Sequence, residues 1–361
     1  MKGKNRLKVA LVYDRVNKWG GAERVLLALH EIFPDAPLYT SVYDSKRAPW
    51  ARVFPKIQTS FLQRFPLARA NHEFFVIFMP IAFRLFDFSD YDLVISVTSE
   101  AAKGIRVGEK TKHICYCLTP TRYLWSGFNE YFRNPVLRLA AMPFVYFLRK
   151  LDKKMAREPD VMIAISREVQ KRIKKYYGRD AALVYPPVDV KKSKHINLER
   201  KYYLIVSRLD YGYKKVDLAV RTFNKLGLPL VIVGTGREEK GLKRLAKGNI
   251  RFVGKVSEKK IVDYYLHAKA LIMPQEEDFG IVSVEAQAHG TPVIAYKKGG
   301  ALDTVIDGKT GIFFGKQTLE SLTQGILQFE KTKFEADNLI RNSQRFSKEK
   351  FVKNFVRIIN I

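Results

Sequence analysis

Short apolar runs rich in β-branched residues alternate with amphipathic segments along most of the chain. The runs that predict β-strands are Leu7–Tyr13, Leu38–Tyr43, Leu93–Val97, His113–Leu118, Val161–Ile165, Ala182–Tyr185, Tyr202–Val206, Leu228–Val233, Arg251–Val253, Ala270–Met273, Val293–Ala295 and Gly311–Phe314. Segments with a helical period lie between them, among them Ala22–Ile32, Glu168–Tyr177, Lys215–Leu226 and Lys259–Ala268. Strands of this kind are typical of parallel sheets covered by helices on both faces. The pattern therefore predicts an α/β chain with two doubly wound parallel sheets.

The two halves of the chain meet at a pair of prolines within Tyr185–Asp189. Neither a strand nor a helix continues through two prolines, and the charged stretch Lys191–Lys201 follows before the next strand. The sequence thus predicts an N-terminal domain over residues 1–187 and a C-terminal domain over residues 188–346. Residues 347–361 are predicted to form an amphipathic helix that packs back on the first domain. Because ligands of open α/β sheets bind outside the carboxyl ends of the strands, we expect the two sheets to face each other across a ligand-binding cleft.

The composition adds a strong positive charge, with 64 lysines and arginines against 36 acidic residues and a net charge of +28. The excess is spread over both halves, and nucleic acid, an anionic membrane surface or an anionic substrate would each account for it. The only two cysteines, Cys115 and Cys117, suit a reducing cytosol. The amino terminus is interpreted as a first strand and not as a signal peptide. No apolar run is long enough to span a membrane.

Two ten-residue apolar runs, Phe74–Phe83 and Leu139–Leu148, contain proline and are each followed by arginine. Either run is expected to be a core helix or a surface that dips into a bilayer interface, and the core is the commoner role. Basic residues crowd the chain after the second run: Arg149, Lys150, Lys153, Lys154, Arg157, and further on Lys171, Arg172, Lys174, Lys175 and Arg179. They predict a basic surface beside an aromatic-rich helix. Such a surface suits anionic lipid, although solvated helix faces are more common.

Two carboxylates, Glu277 and Glu285, flank the turn from a predicted strand into a predicted helix, Ile281–His289. The start of a helix presents unpaired N–H groups to an anion, and Gly280 allows a phosphate to approach them. Carboxylates near such a point accept hydrogen bonds from sugar hydroxyl groups. The pair would then bracket a nucleotide-sugar, with one acid on the hexose and the other on the ribose. The alternative is an acidic helix start that merely complements the helix dipole.

Two cations are predicted to lie at the same edge of the second sheet. Arg208 comes directly after the strand Tyr202–Val206, and Lys214 lies where the next helix begins. Positive charge fixed there would neutralise a diphosphate and help it to leave. The alternative is that Arg208 and Lys214 are ordinary solvated surface cations.

These residues resemble glycosyltransferase family 4, whose members are retaining enzymes of the two-domain GT-B fold. The motifs that carry the resemblance, in the order seen in that family, are Arg208, Lys214, Asp217, Gly234-Thr-Gly236, the pair Glu277/Glu285, Gly290-Thr-Pro-Val293 and Gly299-Gly300. In the first half, Gly20-Gly21-Ala22-Glu23-Arg24 and Thr119-Pro120-Thr121-Arg122-Tyr123-Leu124-Trp125 are similar to bacterial mannosyltransferases that build surface polysaccharides. The resemblance covers nearly the whole chain.

The resemblance implies roles for individual residues. Glu277 would contact the transferred sugar, Glu285 the ribose, and Arg208 and Lys214 the pyrophosphate. The other donor-binding residues would be Gly280, Ile281, Val282, Gly234, Gly20 and Gly21, and Arg122, Tyr123 and Trp125 would line the acceptor side. No protein nucleophile, cofactor or metal is implied, since the leaving phosphate is thought to accept the proton of the acceptor.

The chain departs from the family at two positions. The subgroup usually has histidine before Thr-Pro, where this chain has Leu118, and aspartate after the tryptophan, where it has Ser126. The histidine is thought to help hold the donor sugar, so its absence leaves that role open. His113 begins the same strand, but at five residues' distance it points to the opposite face.

Two further motifs are not expected to be functional. Gly234 and Gly236 are followed by Glu239 where a dinucleotide-binding motif needs glycine, which argues against a nicotinamide cofactor. Asp90-Tyr91-Asp92 has the spacing of a metal motif but precedes a strand instead of following one, so we interpret it as a solvated turn. The histidines show no metal-ligand spacing.

The resemblance implies a transferase that moves mannose from GDP-mannose onto a lipid-linked glycan, and together with the basic surface it predicts a peripheral protein on the inner face of the cytoplasmic membrane. A UDP-sugar donor, with glucose or N-acetylglucosamine, is the alternative within the same fold. A non-catalytic sugar-nucleotide binder is suggested by Leu118. A nucleic-acid binder is suggested by charge alone, but the chain lacks RNA-binding signatures.

Overall fold

A computed structural model describes residues 7–65, 67, 69, 75–132, 134–190, 199–210 and 212–359. The chain divides into two compact units. The first comprises Met1–Pro186 together with Val352–Ile361, and the second comprises Pro187–Phe351.

The first unit is built on a seven-stranded parallel sheet with the strand order β3-β2-β1-β4-β5-β6-β7. Its strands are β1 (Val9–Tyr13), β2 (Leu38–Thr40), β3 (Ile57–Thr59), β4 (Leu93–Thr98), β5 (Lys112–Cys117), β6 (Val161–Ala164) and β7 (Ala182–Leu183). The described α-helices are α1 (Gly21–Ile32), α2 (Met79–Arg84), α3 (Phe128–Tyr131), α4 (Pro135–Met155) and α5 (Arg167–Tyr177). Chain order reverses between β1 and β4, which places the strand-order switch of this sheet there.

The second unit has a six-stranded parallel sheet with the order β10-β9-β8-β11-β12-β13. Its strands are β8 (Tyr202–Val206), β9 (Leu230–Val233), β10 (Ile250–Gly254), β11 (Ala268–Met273), β12 (Val293–Tyr296) and β13 (Gly311–Phe314). Its helices are α6 (Val216–Leu226), α7 (Glu239–Leu245), α8 (Glu258–Leu266), α9 (Ile281–Ala288), α10 (Ala301–Thr304), α11 (Leu319–Glu330) and α12 (Ala336–Ser343). The strand-order switch of this sheet lies between β8 and β11.

Alternate residues of each strand face opposite helix layers, which is why the strands read as continuous apolar runs. In β8, for example, Ile205 packs into one core with Ile232 of β9, while Leu204 packs into the core on the other face with Val231. The prediction of two doubly wound parallel sheets is therefore confirmed, and all twelve predicted strands occur.

One strand, β3, and the burial of Arg172 on α5 differ from what the sequence predicts. β3 escaped because its three residues, Ile57–Thr59, are half-buried and centred on a glutamine, which leaves no apolar run to detect. The prediction that Arg172 extends a basic surface was wrong, and Arg179 is half-buried. Arg172 is buried and pairs with Glu168 at 3.0 Å, and the guanidinium of Arg179 donates to the backbone carbonyls of Ala156 and Asp160.

A final helix, α13 (Lys348–Ile359), contributes its later residues to the first unit. Phe355 is fully buried there, with its ring centroid 6.2 Å from that of Tyr116 on β5. The last two residues of the helix predicted over 347–361, and residues 191–198 of the predicted linker, lie outside the described residues.

The two apolar runs of the first unit are only partly in the core. Phe74 lies outside the described residues; Met79, Ala82 and Phe83 of the first run are buried, and Val145 and Leu148 are the buried residues of the second. The outward side chains of both runs are large, apolar and exposed: Ile77, Phe78, Ile81, Leu139, Met142, Phe144, Tyr146 and Phe147. Within the described part of the chain, no helix is long and apolar enough to cross a membrane.

Candidate functional site

The predicted site residues of the second unit cluster at the carboxyl ends of β8 and β11, where strand order switches. The loop after β8 runs from Ser207 to Lys215, and the loop after β11 runs from Pro274 to Gly280. Because neighbouring parallel strands end at the same edge of the sheet, the two loops can meet. This is the place where open α/β sheets bind their ligands.

An ion pair joins the two loops. Lys214, at the end of the 3-10 turn Gly212–Lys214, places its Nζ 2.5 Å from Oε1 of Glu277, and the two side chains are only 12% and 19% exposed. The ammonium of Lys214 also lies 5.0 Å from the ring centroid of Tyr213. The structure thus brings together two of the three residues predicted to carry catalysis, each within reach of solvent.

Glu277 has a further donor and a fixed backbone. Nε2 of Gln275 donates to the same oxygen, Oε1, at 2.9 Å, and Gln275 is 3% exposed. The carbonyl of Glu277 accepts a hydrogen bond of 2.7 Å from the N–H of Gly300 in the loop after β12. The carboxylate therefore stands on a loop that two neighbouring strands hold in place.

Arg208 begins the same loop as Lys214, directly after Ser207, and its side chain is exposed. It lies at the sheet edge predicted for it. An exposed guanidinium at this edge is available to a diphosphate, which it can bind through two parallel hydrogen bonds.

The helix that follows the Glu277 loop begins without a side-chain cap. Gly280 precedes α9 in the left-handed conformation, with φ 88°, which favours glycine. Ile281 and Val282 are the first two residues of α9, so their N–H groups belong to the unpaired first turn. An eight-residue helix starting here presents the positive end of its dipole to the sheet edge.

Glu285 lies on α9 one turn beyond these residues. The hydroxyl of Tyr265, on α8, donates to Oε2 of Glu285 at 2.9 Å. Tyr265 is 1% exposed, and its ring stacks on that of His289 with centroids 5.8 Å apart. Burial lowers the pKa of His289. Glu285 is half-buried and is held by an oriented hydroxyl donor.

Gly234 ends the strand next to β8, and the structure gives it a packing role. Its φ is 133°, and a Cβ atom there would lie 1.8 Å from the carbonyl oxygen of Ser207. A larger residue would therefore push the β8 loop away from β9. Gly234 shapes the loop that carries Arg208, and its predicted contact with the donor stays a prediction.

In the first unit, Gly20 and Gly21 form the turn from β1 into α1, with Gly20 as the residue before the helix. Glu23, in the first turn of α1, is 1% exposed and accepts a hydrogen bond of 2.8 Å from the hydroxyl of Tyr13. The turn is thus fixed by a buried carboxylate that the sequence analysis assigned no role.

The switch between β1 and β4 carries charged residues that the sequence analysis missed. Asp14 accepts hydrogen bonds from the N–H groups of Ser99, Glu100 and Ala102 and from the hydroxyl of Thr98. Burial raises the pKa of Asp14 despite these donors. Arg15 pairs with Glu100 at 2.6 Å. Their distance along the chain, 84 residues or more, hid this arrangement from any spacing argument.

The residues predicted for the acceptor side lie after β5. Nε1 of Trp125 donates to Oδ2 of Asp152 at 2.7 Å, and its ring stacks on Tyr176 with centroids 4.9 Å apart. Arg122 lies 3.8 Å from Glu130. Burial raises the pKa of Tyr123. Trp125 is therefore built into the unit, with much of its indole used for packing.

The strand that ends before Leu118 carries one histidine, His113, and its side chain lies in the core. His113 is fully buried and hydrogen-bonds Oγ of Ser96 at 2.9 Å, and burial lowers its pKa to about 3. Leu118 itself is half-buried at the end of β5. In the described residues there is no cluster of three or more His, Cys, Asp or Glu that could hold a metal, and Asp90 and Asp92 are exposed ahead of β4.

Comparisons with known proteins agree with this geometry. Residues 189–346 match the family model Glycosyl transferases group 1. An uncharacterized 41.2 kDa protein from the cps region of Klebsiella pneumoniae is 29% identical over 45% of the chain and 47% of its own length. A GDP-mannose-dependent monoacylated alpha-(1-6)-phosphatidylinositol monomannoside mannosyltransferase of Corynebacterium glutamicum is 28% identical over 49% of the chain and 54% of its own length. The chain spans about half the length of the curated relatives it matches.

Among solved structures, Anabaena HepE in complex with UDP-glucose has a TM-score of 0.71 at 18% identity, covering 98% of this chain and all of that one. At such identity the likeness shows the fold, which is the GT-B fold of two Rossmann-like domains. Residues 189–346 are thus similar to group 1 glycosyl transferases, and the fold of the chain is the one seen in HepE.

Proposed function

We propose that the protein is a retaining glycosyltransferase that moves mannose from GDP-mannose onto a lipid-linked glycan. The observation that carries the proposal is the Lys214–Glu277 ion pair at the strand-order switch of the second sheet, beside the uncapped start of α9. A fixed cation suits a diphosphate, and a carboxylate suits sugar hydroxyl groups. The choice of mannose rests on the relative from C. glutamicum, whose name specifies a GDP-mannose donor.

In this proposal, Lys214 and Arg208 bind the pyrophosphate together with the first N–H groups of α9. Glu277 accepts hydrogen bonds from the transferred sugar, and Glu285 accepts them from the ribose. The Lys214–Glu277 ion pair supports the assignment. Lys214 can exchange the carboxylate for a bound diphosphate, which carries more negative charge. The two cations supply the positive charge that a metal supplies in other transferases, so transfer is proposed to need no metal ion.

The chemical step in this proposal is the one that the resemblance to retaining family 4 enzymes implies. The bond from the anomeric carbon to the diphosphate oxygen breaks, and a bond to the acceptor oxygen forms on the same face of the sugar. The acceptor's proton passes to the leaving phosphate oxygen, so no protein nucleophile is required. Positive charge from Arg208 and Lys214 stabilises the phosphate as it leaves.

A UDP-sugar is the second candidate donor, because HepE, of the same fold, is seen with UDP-glucose. A thermal-shift screen of GDP- and UDP-sugars separates the two. A ligand at 100 times its dissociation constant stabilises the folded state by about 2.7 kcal/mol, a shift of roughly 5–10 °C for a unit of this size. We expect GDP-mannose to give the largest shift, with GDP and UDP as controls. A larger shift with UDP-glucose would replace the donor, and protection without turnover on any acceptor would favour a non-catalytic binder.

We further propose that the protein works at the inner face of the cytoplasmic membrane and docks there through α4. The outward face of its first four turns is apolar and exposed, with Val136, Leu139 and Phe147 exposed by 73%, 70% and 59%. Lysines continue the exposed surface towards the end of the helix: Lys150, Lys153 and Lys154. A helix with an apolar segment next to a cationic one fits an interface between acyl chains and anionic headgroups.

Vesicle sedimentation tests the membrane proposal. The wild-type protein is expected to sediment with anionic but not with neutral vesicles, and high salt should release it, since each cation near the surface contributes about 1 kcal/mol. Replacing Lys150, Lys153 and Lys154 with glutamate should abolish sedimentation while donor binding is unchanged. The matched control reverses three exposed lysines of the second unit, Lys255, Lys259 and Lys260, and should sediment normally. A wild-type protein that ignores anionic vesicles at low salt would point to a soluble acceptor.

A further inference from the structure

Each of the two site carboxylates is held by a buried, uncharged hydrogen-bond donor from outside the family motifs. Gln275, 3% exposed, donates its amide to Oε1 of Glu277 at 2.9 Å. Tyr265, 1% exposed, donates its hydroxyl to Oε2 of Glu285 at 2.9 Å. A neutral donor adds no charge to the site, so its contribution is to fix the direction of the carboxylate.

Contacts restrain Tyr265 directly, whereas Gln275 is restrained by its burial, at 3% exposed, and by a contact of the residue before it. The carbonyl of Tyr265 accepts a 2.6 Å hydrogen bond from the hydroxyl of Thr291, and its ring is stacked on His289. Next to Gln275, the carbonyl of Pro274 accepts a 2.7 Å hydrogen bond from Nε2 of Gln317. Because each donor has little freedom, the carboxylate bound to it has little freedom as well.

We propose that Gln275 and Tyr265 are positioning residues that set the orientation of Glu277 and Glu285 before substrate binds. The proposal rests on the roles given to the two glutamates in the proposed function. Since Glu277 is assigned to the reacting sugar, misorienting it lowers the rate of the chemical step. Since Glu285 is assigned to the ribose, far from the bond that breaks, misorienting it weakens donor binding and leaves the chemical step unchanged.

At Glu277, Gln275 and Lys214 donate to the same oxygen but have different roles. Both Nζ of Lys214 and Nε2 of Gln275 reach the same oxygen, Oε1, at 2.5 Å and 2.9 Å. When a diphosphate draws Lys214 away, Gln275 is the donor that stays on Oε1. It thereby keeps the Glu277 carboxylate in place while the charge around it changes.

Two near-isosteric substitutions test the two halves of the proposal. Tyr265→Phe removes only the hydroxyl, and Gln275→Met removes only the amide. A hydrogen bond to a charged group contributes enough that its loss changes an equilibrium or rate about tenfold or more. We expect Tyr265→Phe to raise the donor Kd and KM about tenfold with kcat within twofold of wild type. We expect Gln275→Met to lower kcat about tenfold with the donor Kd within twofold.

Matched controls lose an equivalent hydrogen bond elsewhere. Tyr202→Phe removes a hydroxyl that donates to the carbonyl of Tyr264, and Gln170→Met removes an amide that donates to the carbonyl of Ala181. Both controls should keep wild-type kcat and KM. Thermal denaturation of all four variants shows whether any loss is one of folding.

The outcomes separate this inference from the proposed function. If the wild-type protein turns over but the Tyr265 and Gln275 variants differ from it only in thermal stability, the two residues are structural and the inference is overturned. If the wild-type protein binds a nucleotide-sugar without turnover, an unchanged Kd in Tyr265→Phe overturns it equally. If it binds no nucleotide-sugar at all, the proposed function is wrong and the inference falls with it.

Discussion

Replacing Glu277 by alanine is expected to lower the rate of sugar transfer more than about a thousandfold and to leave the fold intact. The carboxylate stands on a loop and is 19% exposed, so its removal opens no cavity in the core. What it removes is the acceptor for Lys214, the acceptor for Gln275 and the proposed contact with the transferred sugar. Steady-state transfer assays and circular dichroism check the two parts of the expectation.

The neighbouring carboxylate supplies the control. Glu276 pairs with Lys298 at 3.1 Å, and Glu276→Ala should retain near-normal turnover. Arg208→Ala should give an intermediate loss, about 2–4 kcal/mol of barrier or roughly 30- to 1000-fold, if the guanidinium stabilises charge on the leaving diphosphate. Near-normal turnover in Glu277→Ala would remove this residue from the proposed mechanism.

Lys103→Ala is expected to lower the free energy of unfolding of the first unit by about 3–5 kcal/mol. Lys103 is 1% exposed and lies 2.6 Å from Oδ1 of Asp152. The same carboxylate accepts hydrogen bonds from Trp125, Tyr177 and Thr121. Without the ammonium, a buried negative charge keeps only neutral donors, and such a loss is a large part of the stability of any domain.

Tryptophan fluorescence in a urea titration measures this effect selectively, because all three tryptophans, Trp19, Trp50 and Trp125, belong to the first unit. Lys174→Ala is the matched control. Its ammonium pairs with Asp180 at 2.9 Å, but both side chains are well exposed, so the loss should stay below about 1 kcal/mol. Equal losses in the two variants would mean that the buried pair contributes no more than a surface pair.

The pH dependence of this contribution follows from the direction of the pKa shift. Burial opposes the charge on Lys103, but the attraction of Asp152 outweighs it, so the pKa of Lys103 is raised above its ordinary 10.5. A raised pKa means that the stabilisation is complete below the pKa of the unfolded chain and is lost as pH rises through the folded value. The contribution of Lys103 to stability should therefore be constant across neutral pH and decline only in strong alkali.

The fold could be predicted because a buried parallel strand is a continuous apolar run, and such a run can be recognised without knowing which strands lie beside it. Every predicted strand occurs, whereas β3, with its central glutamine, has no such run. Placement of Glu277 and Lys214 at one sheet edge also followed from strand ends alone. Tyr265 could not be found in this way, since a donor on α8 and a carboxylate on α9 are joined only by packing.

The exposure of basic side chains could not be predicted from the sequence for a similar reason, because it depends on contacts with distant residues. Arg172 and Arg179 look like solvated cations in the sequence, yet one is buried against Glu168 and the other binds backbone carbonyls. Local sequence shows that a side chain is charged and gives no information about which distant group neutralises it. By contrast, the sequence did not establish the exposed apolar face of α4, because a ten-residue apolar run fits either a surface or the core, which is its commoner place.

The first unit is built from two separate parts of the chain, and this affects how it folds during synthesis. Phe355 fills the core beside Tyr116, so that core stays incomplete until residues 352–359 have left the ribosome. All of Pro187–Phe351 is translated in between, and at ordinary elongation speeds that interval is about 10–30 s. The second unit, whose residues are contiguous, can finish folding before residues 352–359 are made, whereas the first must wait for them. The nascent N-terminal segment, with its apolar helix faces already emerged, is therefore the part of the chain most in need of a chaperone.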